Sequence, residues 1–246
     1  MTGYRTIVLA CALILFGATC SHATDAPEGF SPLFNGADFS GWEGNEAFFR
    51  VEEQAVVAGR LSQPIPKNQF LCTEREYGDF ELRLQAKASQ DDVNGGIQIR
   101  SQRIPNHHEV KGYQVDIGVV PVPVMRMMFD AEGLEKAHLP AEGAATIWGS
   151  LYDESRRNKY LAVGDMAETA KAVTPTEWND FVIRCEGPRI QVWVNGIQTV
   201  DYTESDDAIP RAGLIGLQIH SGPASEVAYR NLYIKPLPEA NGDAER

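Results

Sequence analysis

The chain has 246 residues and a formal net charge of −12. That acidity excludes nucleic acid and an anionic membrane surface as partners, because both require a basic patch. The length suits one large all-β domain, which runs to about 200–250 residues without splitting.

The chain opens with a targeting pattern. Arg5 precedes an apolar run from Ile7 to Phe16, and Ser21-His22-Ala23 has the small-x-small form read by a signal peptidase. The run is shorter than the roughly 20 residues that span a bilayer. Residues 1–23 are therefore expected to be a cleaved signal peptide, with export to the periplasm or beyond and no stable membrane span. Lipid attachment at Cys20 is disfavoured, since Phe16-Gly17-Ala18-Thr19 makes a poor lipobox. Losing Arg5 and no acid takes the charge from −12 to −13. Cys72 and Cys185 remain, and in an oxidising compartment they are expected close enough to pair; two separate buried thiols are the alternative.

The rest reads as strands. Phe80-Glu81-Leu82-Arg83-Leu84-Gln85-Ala86-Lys87 alternates apolar and polar residues, the period of a strand with one face buried. The same period marks Ile97-Gln98-Ile99-Arg100 and Tyr113-Gln114-Val115-Asp116-Ile117. His107-His108-Glu109, between them, is a weak metal signal, because adjacent histidines in a strand point to opposite faces; an exposed loop is the better account. From Gly118 to Ala145 the pattern breaks: Pro121 and Pro123 forbid a central strand, and Phe129–Ala137 is the one segment with a helical reading. This long stretch is either a lid beside a site or a surface excursion packed on the sandwich edge. Further on, Phe181–Cys185, Ile190–Val194 and Ile197–Tyr202 are strands. Glu186-Gly187-Pro188-Arg189 joins the first two, and Asn195-Gly196, the strongest short hairpin signal, joins the last two. Leu214–His220 and Val227–Lys235 complete the set. Many short antiparallel strands with regular turns and almost no helix predict an all-β, two-sheet antiparallel sandwich. The expected organisation is a signal peptide at 1–23, one domain at 24–237 and a polar tail at 238–246.

There is no Gly-x-Ser-x-Gly, His-Glu-x-x-His, phosphate loop or Cys-x-x-Cys, so nothing asks for a cofactor or a metal. The informative residues are those opposite the buried ones. Period two puts Gln98 and Arg100, Gln114 and Asp116, and Gln218 and His220 on the polar faces of their strands. An ordinary wet face carries Lys, Glu and Thr; this one carries amides, a guanidinium, a carboxylate and an imidazole, which grip hydroxyls and move protons. The plain alternative is that every antiparallel sheet has one polar face. Glycosidases flank the scissile bond with two carboxyls. Asp116 supplies one, and Asp153 or Glu154 supplies a second, although no Glu-x-Asp-x-Glu strand is present. The stretch from Tyr152 to Arg157 also reads as a solvated loop held by its own ion pairs.

The order of blocks resembles a known family. Phe30-Ser31-Pro32-Leu33-Phe34-Asn35-Gly36 through Gly41-Trp42 is similar to the opening of the 3-keto-disaccharide hydrolase domain family. So are Tyr77-Gly78-Asp79-Phe80, Asn94-Gly95-Gly96-Ile97-Gln98-Ile99-Arg100-Ser101, Glu177-Trp178-Asn179-Asp180, Val194-Asn195-Gly196, Gly216-Leu217-Gln218-Ile219-His220-Ser221-Gly222 and Tyr229-Arg230-Asn231-Leu232-Tyr233-Ile234. The resemblance implies a concanavalin A-like jelly roll and the cleavage of glycosides already oxidised at carbon 3. A 3-keto group acidifies the carbon 2 hydrogen, so one base can remove it and expel the carbon 1 substituent. On that reading Asp116 or His220 is the base, with Glu154 or Asp153 as substitute, and Arg100 polarises the keto oxygen. Gln98, Gln114 and Gln218 grip hydroxyls of a small-molecule or oligosaccharide substrate, and Trp148 or Tyr152 stacks on the sugar. The rival functions are a non-catalytic, lectin-like glycan-binding module and a structural protein without a ligand. The sequence departs from the family in the inserted stretch from about Val119 to Ala145 and in Ile219, where many relatives have Asp.

Overall fold

The computed structural model describes residues 26–129 and 135–238. The expected signal peptide, with its cleavage site and Cys20, lies outside the described residues, as does all but the first residue of the expected tail.

Two antiparallel sheets pack face to face. The first contains β1 (Ser31–Pro32), β3 (Phe49–Glu52), β4 (Ala55–Arg60), β6 (Phe80–Ala88), β12 (Asn179–Glu186), β13 (Arg189–Val194), β14 (Ile197–Thr203) and β16 (Ser225–Pro236). Its order is β14-β13-β12-β6-β16-β4-β3, with β1 also paired to β16. The second contains β2 (Trp42–Glu43), β5 (Gln69–Thr73), β7 (Asn94–Arg103), β8 (Val110–Pro121), β9 (Ala144–Thr146), β10 (Leu151–Glu154), β11 (Tyr160–Ala162) and β15 (Leu214–Ile219). Its order is β11-β10-β8-β7-β15-β5-β2, and β9 pairs with the far end of β8. This is the all-β sandwich expected from the period-two pattern. The β13–β14 turn is Asn195-Gly196 with both residues at positive φ, 48° and 83°, the backbone a tight hairpin needs.

The inner faces share one core. Leu82, Leu84, Phe181, Ile183 and Val192 of the first sheet meet Ile97, Ile99, Val115, Ile117, Leu217 and Ile219 of the second. Each of those residues has the apolar parity of its strand, so the opposite face of β7, β8 and β15 carries the polar residues.

The inserted stretch has more structure than a loop. β8 runs on to Pro121, where it pairs only with β9, so Pro121 sits at the end of a two-stranded ribbon and not in a central strand. Helix α1 (Val122–Met128) follows, with proline in its first turn, the position that tolerates a missing N–H. Helix α1 precedes the segment Phe129–Ala137 where a helix is expected; of that segment residues 135–137 are helical, and residues 130–134 lie outside the described ones. The insertion closes over its own small core of Val122, Met125, Ala137, Ala145, Ile147, Tyr160 and Met166. Met166 belongs to helix α2 (Met166–Ala172), whose Asp165 caps the Glu168 N–H at 3.0 Å.

Cys72 and Cys185 are both free and buried, which corrects the expected pairing. Cys72 points to the outer face of the second sheet, in a cluster with Phe70 and Val110, whereas Cys185 points into the core from the first sheet. Opposite parity puts a sheet between them. Among the described residues no helix is long and apolar enough to cross a membrane.

Candidate functional site

The outer face of the second sheet is a lattice whose rows follow from strand register. Phe70, Gln218, Gly96 and Asp116 form one row across β5, β15, β7 and β8. Cys72, Gly216, Gln98, Gln114 and Tyr152 form the next, extended onto β10. At the other side of the first row stands His220, whose N–H bonds to the Asn94 carbonyl at 3.0 Å. Two of these positions are glycine, so larger side chains can lie down over them. A Cβ on Gly96 would sit 2.7 Å from Cγ of Gln114.

A pocket of about 320 Å3 opens above this lattice, lined by Asn94, Gln114, Asp116, Tyr152, Glu154, Tyr160 and His220 together with Val119, Val120, Pro121, Val124 and Met128. The polar half of the lining comes from the sheet, and the apolar half from the insertion. The inserted stretch therefore stands at the mouth of the site.

Asp116 is 3 % exposed. Desolvation raises its pKa to about 7, and the nearby Glu154 charge adds to the rise; hydrogen bonds from Gln114 and Tyr160 oppose it. Gln114 Nε2 donates to Asp116 Oδ1 at 2.7 Å. Glu154 is likewise raised to about 7, first by burial and then by the charge of Glu109, with Ser155 opposing. The Tyr160 hydroxyl, pushed well above its usual range by burial and by Asp116, stays protonated as a donor. Burial and the charges of Glu154 and Asp116 keep Tyr152 protonated to about 12. His220 Nδ1 lies 2.7 Å from the Ser221 carbonyl. A carbonyl only accepts, so Nδ1 carries the hydrogen, and in the neutral ring the lone pair is then on Nε2.

The structure brings Gln98, Gln114, Asp116, Gln218 and His220 to one face, with Tyr152 and Glu154 beside them. Gln98 and Gln218 are wholly buried in its floor, and Gln218 has no partner for either amide atom among the described residues. Three expected members are elsewhere.

Arg100 is turned away by its own backbone. It sits at a break in the β7–β8 register with φ at 47°, and this left-handed residue reverses the parity of the strand. Its guanidinium enters the edge of the sandwich and bonds to Asp79 Oδ1 at 2.7 Å, the Gly187 carbonyl at 2.7 Å and the Gly78 carbonyl at 2.9 Å. Arg100 thus ties the two sheets together, and Ser101 takes the place on the polar face.

Trp148 lies in the core, stacked on Phe181 with ring centroids 5.9 Å apart, and offers no surface to a sugar. Asp153 points inward beside Tyr113, clamped by Arg157 and by Arg156, whose Nε is 2.7 Å away. Of the two acids considered as a second carboxyl, only Glu154 reaches the pocket.

Tyr160, Asn94 and Ser101 are the site residues that period two misses. Tyr160 belongs to a three-residue strand too short to show alternation, Asn94 stands at a strand start, and Ser101 reaches the face only through the reversal at Arg100. His107 and His108 stack in an exposed turn, their ring centroids 4.3 Å apart. No cluster of three or more metal-ligating side chains occurs among the described residues.

Residues 29–235 match the family described as the 3-keto-alpha-glucoside-1,2-lyase-like domain. Among solved structures, a candidate glycosyl hydrolase from Parabacteroides distasonis ATCC 8503 is similar, with 19% identity and a TM-score of 0.56 over 86% of this chain and 95% of that one. A Bacillus subtilis protein of unknown function with a galectin-like fold has 11% identity and a TM-score of 0.54, covering 87% and 97%. The carbohydrate-binding module CBM66 of Bacillus subtilis has 10% identity and a TM-score of 0.51, covering 79% and 95%. Likeness at these identities is likeness of fold. No curated protein matches the chain.

Proposed function

This chain belongs to the 3-keto-alpha-glucoside-1,2-lyase-like family, and from that membership we propose that it cleaves 3-keto-glycosides by removing the carbon 2 proton, with Asp116 as the base. The observation that carries the reading is one pocket holding Asp116, Glu154 and His220, in which burial lifts both carboxyls to about 7. A base and an acid work best with pKa values near the working pH, and two carboxyls so placed supply one of each at neutrality.

The step balances as follows. Asp116 takes the carbon 2 proton, the freed electron pair forms the carbon 1–carbon 2 double bond, and the carbon 1–oxygen bond breaks. The departing oxygen takes a proton from Glu154. Charge gathers on the 3-keto oxygen during the transfer. With Arg100 held at the sandwich edge, the donors left for it are the Tyr152 hydroxyl and the Asn94 amide, and such aimed donors stabilise an oxyanion in a dry site. His220, with its Nε2 lone pair, is the second candidate base. We place the activity outside the cytoplasm, on the leader read at residues 1–23.

A lectin-like binding role is the second reading. It is favoured by the three amides on the floor of the face, and the neighbour named as a carbohydrate-binding module has the same fold.

The test is incubation with 3-keto and ordinary disaccharides, read by mass spectrometry. Cleavage confined to the 3-keto set, and lowered about 10²–10⁴-fold by Asp116→Asn, is the expected result. Binding of either set without cleavage favours the lectin-like role. Full activity in Asp116→Asn with loss in His220→Ala moves the base to His220.

A further inference from the structure

We propose that Ser101 is a positioning residue for Asp116, acting through the amides of Gln98 and Gln114. This inference rests on the reading of Asp116 as the base.

A buried chain of hydrogen bonds runs along the floor of the face. The Ser101 hydroxyl donates to Gln98 Oε1 at 2.7 Å. Gln98 Nε2 donates to Gln114 Oε1, and Gln114 Nε2 donates to Asp116 Oδ1 at 2.7 Å. All four residues are at most 3 % exposed, so water does not compete for these bonds.

The direction of the chain matters. An amide has an accepting end and a donating end of nearly the same shape, and a carboxylate accepts only. Gln114 must therefore turn its NH2 to Asp116, which leaves its oxygen toward Gln98. Gln98 must in turn offer NH2 to Gln114, which leaves its oxygen needing a donor. Ser101 supplies that donor. Without the hydroxyl, nothing at the far end opposes rotation of both amides, and a rotated Gln114 would point its carbonyl oxygen at the Asp116 carboxylate.

The backbone is shaped around this chain. The left-handed residue Arg100 (φ 47°) delivers Ser101 to the polar face. Gly112 faces it with φ at 148°, and a Cβ there would stand 2.4 Å from Ser101 Oγ. Gly96 clears the floor for Gln114, since a Cβ there would stand 2.8 Å from Cδ. The Ser101 hydroxyl also lies 3.1 Å from the Ile99 carbonyl and 3.4 Å from the Tyr113 carbonyl, both longer than its bond to Gln98.

The other groups facing Asp116 are Tyr160 from β11, Glu154 and Tyr152 from β10, and His220 after β15. The Ser101 hydroxyl bonds to Gln98 and to the Ile99 and Tyr113 carbonyls and to none of these groups, so the hydrogen-bonded route from Ser101 to Asp116 runs through the amides.

The experiment follows the Asp116 carboxyl by carbon-13 NMR in Ser101→Ala and in Gln98→Met, beside the pH dependence of kcat/KM on a 3-keto disaccharide. A carboxylate that loses an N–H donor holds its proton more tightly. The titration midpoint should rise by about one pH unit, a tenfold change in the ionisation equilibrium. The acidic limb of kcat/KM should move with it, so activity relative to the parent falls up to tenfold below the midpoint and equals the parent's above about pH 9. Gln98→Met keeps the test open if Ser101→Ala folds poorly. An unmoved Asp116 midpoint in the folded variants overturns the proposal. A moved midpoint with an unmoved kcat/KM profile supports the positioning role and overturns Asp116 as the base.

Discussion

Arg100→Met separates a structural from a catalytic arginine. The Arg100 side chain is 2 % exposed and its partner Asp79 is 10 % exposed, so the pair is shielded from solvent. Asp79 also accepts the Gly187 N–H at 3.0 Å, and Gly187 in turn accepts from Arg100, which closes a small ring between the turn before β6 and the β12–β13 turn. Methionine keeps much of the apolar stem and removes three donated bonds. Breaking one side of a buried pair costs about 3–5 kcal/mol, because the remaining charge keeps its desolvation penalty. At about 2–4 °C per kcal/mol for a domain of this size, Tm should fall by about 6–20 °C. Scanning calorimetry measures the loss, and kcat/KM taken well below the transition should stay within about threefold of the parent, the spread expected away from the reacting groups. A Tm within about 2 °C of the parent together with a hundredfold loss of kcat/KM would refute this account and return Arg100 to the substrate.

Gly96→Ala should lower kcat/KM by about tenfold below neutrality and raise the Asp116 midpoint, because the new Cβ pushes Gln114 off its carboxylate; a crystal structure with the Gln114–Asp116 bond intact would count against it. Cys72 and Cys185, both pushed up to about 12 by burial, should give no reaction with a thiol reagent in the native chain lacking residues 1–23 and two equivalents in denaturant. Zero equivalents in denaturant would mean that they are bonded after all.

The fold was legible because its signal repeats. Each central strand shows its buried face by alternation, and one face of β7, β8 and β15 could be read residue by residue at Gln98, Gln114, Asp116 and Gln218. The losses have physical causes. Alternation assumes an extended backbone, and Arg100 breaks it with one left-handed residue that the sequence does not flag, being neither Gly nor Asn. Trp148 follows a ribbon and precedes Gly149 at φ 76°, so no run of alternating residues sets its direction. Helix α2 did have a signal, since Asp165 followed by Glu168 is a capping pattern before an alanine-rich turn. The cysteines stand on different sheets, and parity within each strand cannot compare one layer with another.

Asp116 also makes a stability prediction whose sign is opposite to that of most acids. Its folded value lies near 7 against 3.8 for the free group, chiefly through desolvation. Between those pH values the folded chain holds a proton that the unfolded chain has released. Stability is therefore full below about pH 4 and declines as pH rises to about 7. At about 1.4 kcal/mol per pH unit, the decline sums to about 4 kcal/mol. Asparagine has nearly the same shape, can accept from Gln114 and Tyr160, and never ionises. Asp116→Asn should then equal the parent in stability near pH 4 and exceed it by up to about 4 kcal/mol at pH 8. Urea denaturation at both pH values measures the difference. A variant less stable than the parent at pH 8, or an offset that ignores pH, would show that Asp116 is not strained by its burial. If the gain appears where turnover is lost, the chain keeps a carboxyl that costs it stability at working pH, which is the balance expected of a group retained for proton transfer.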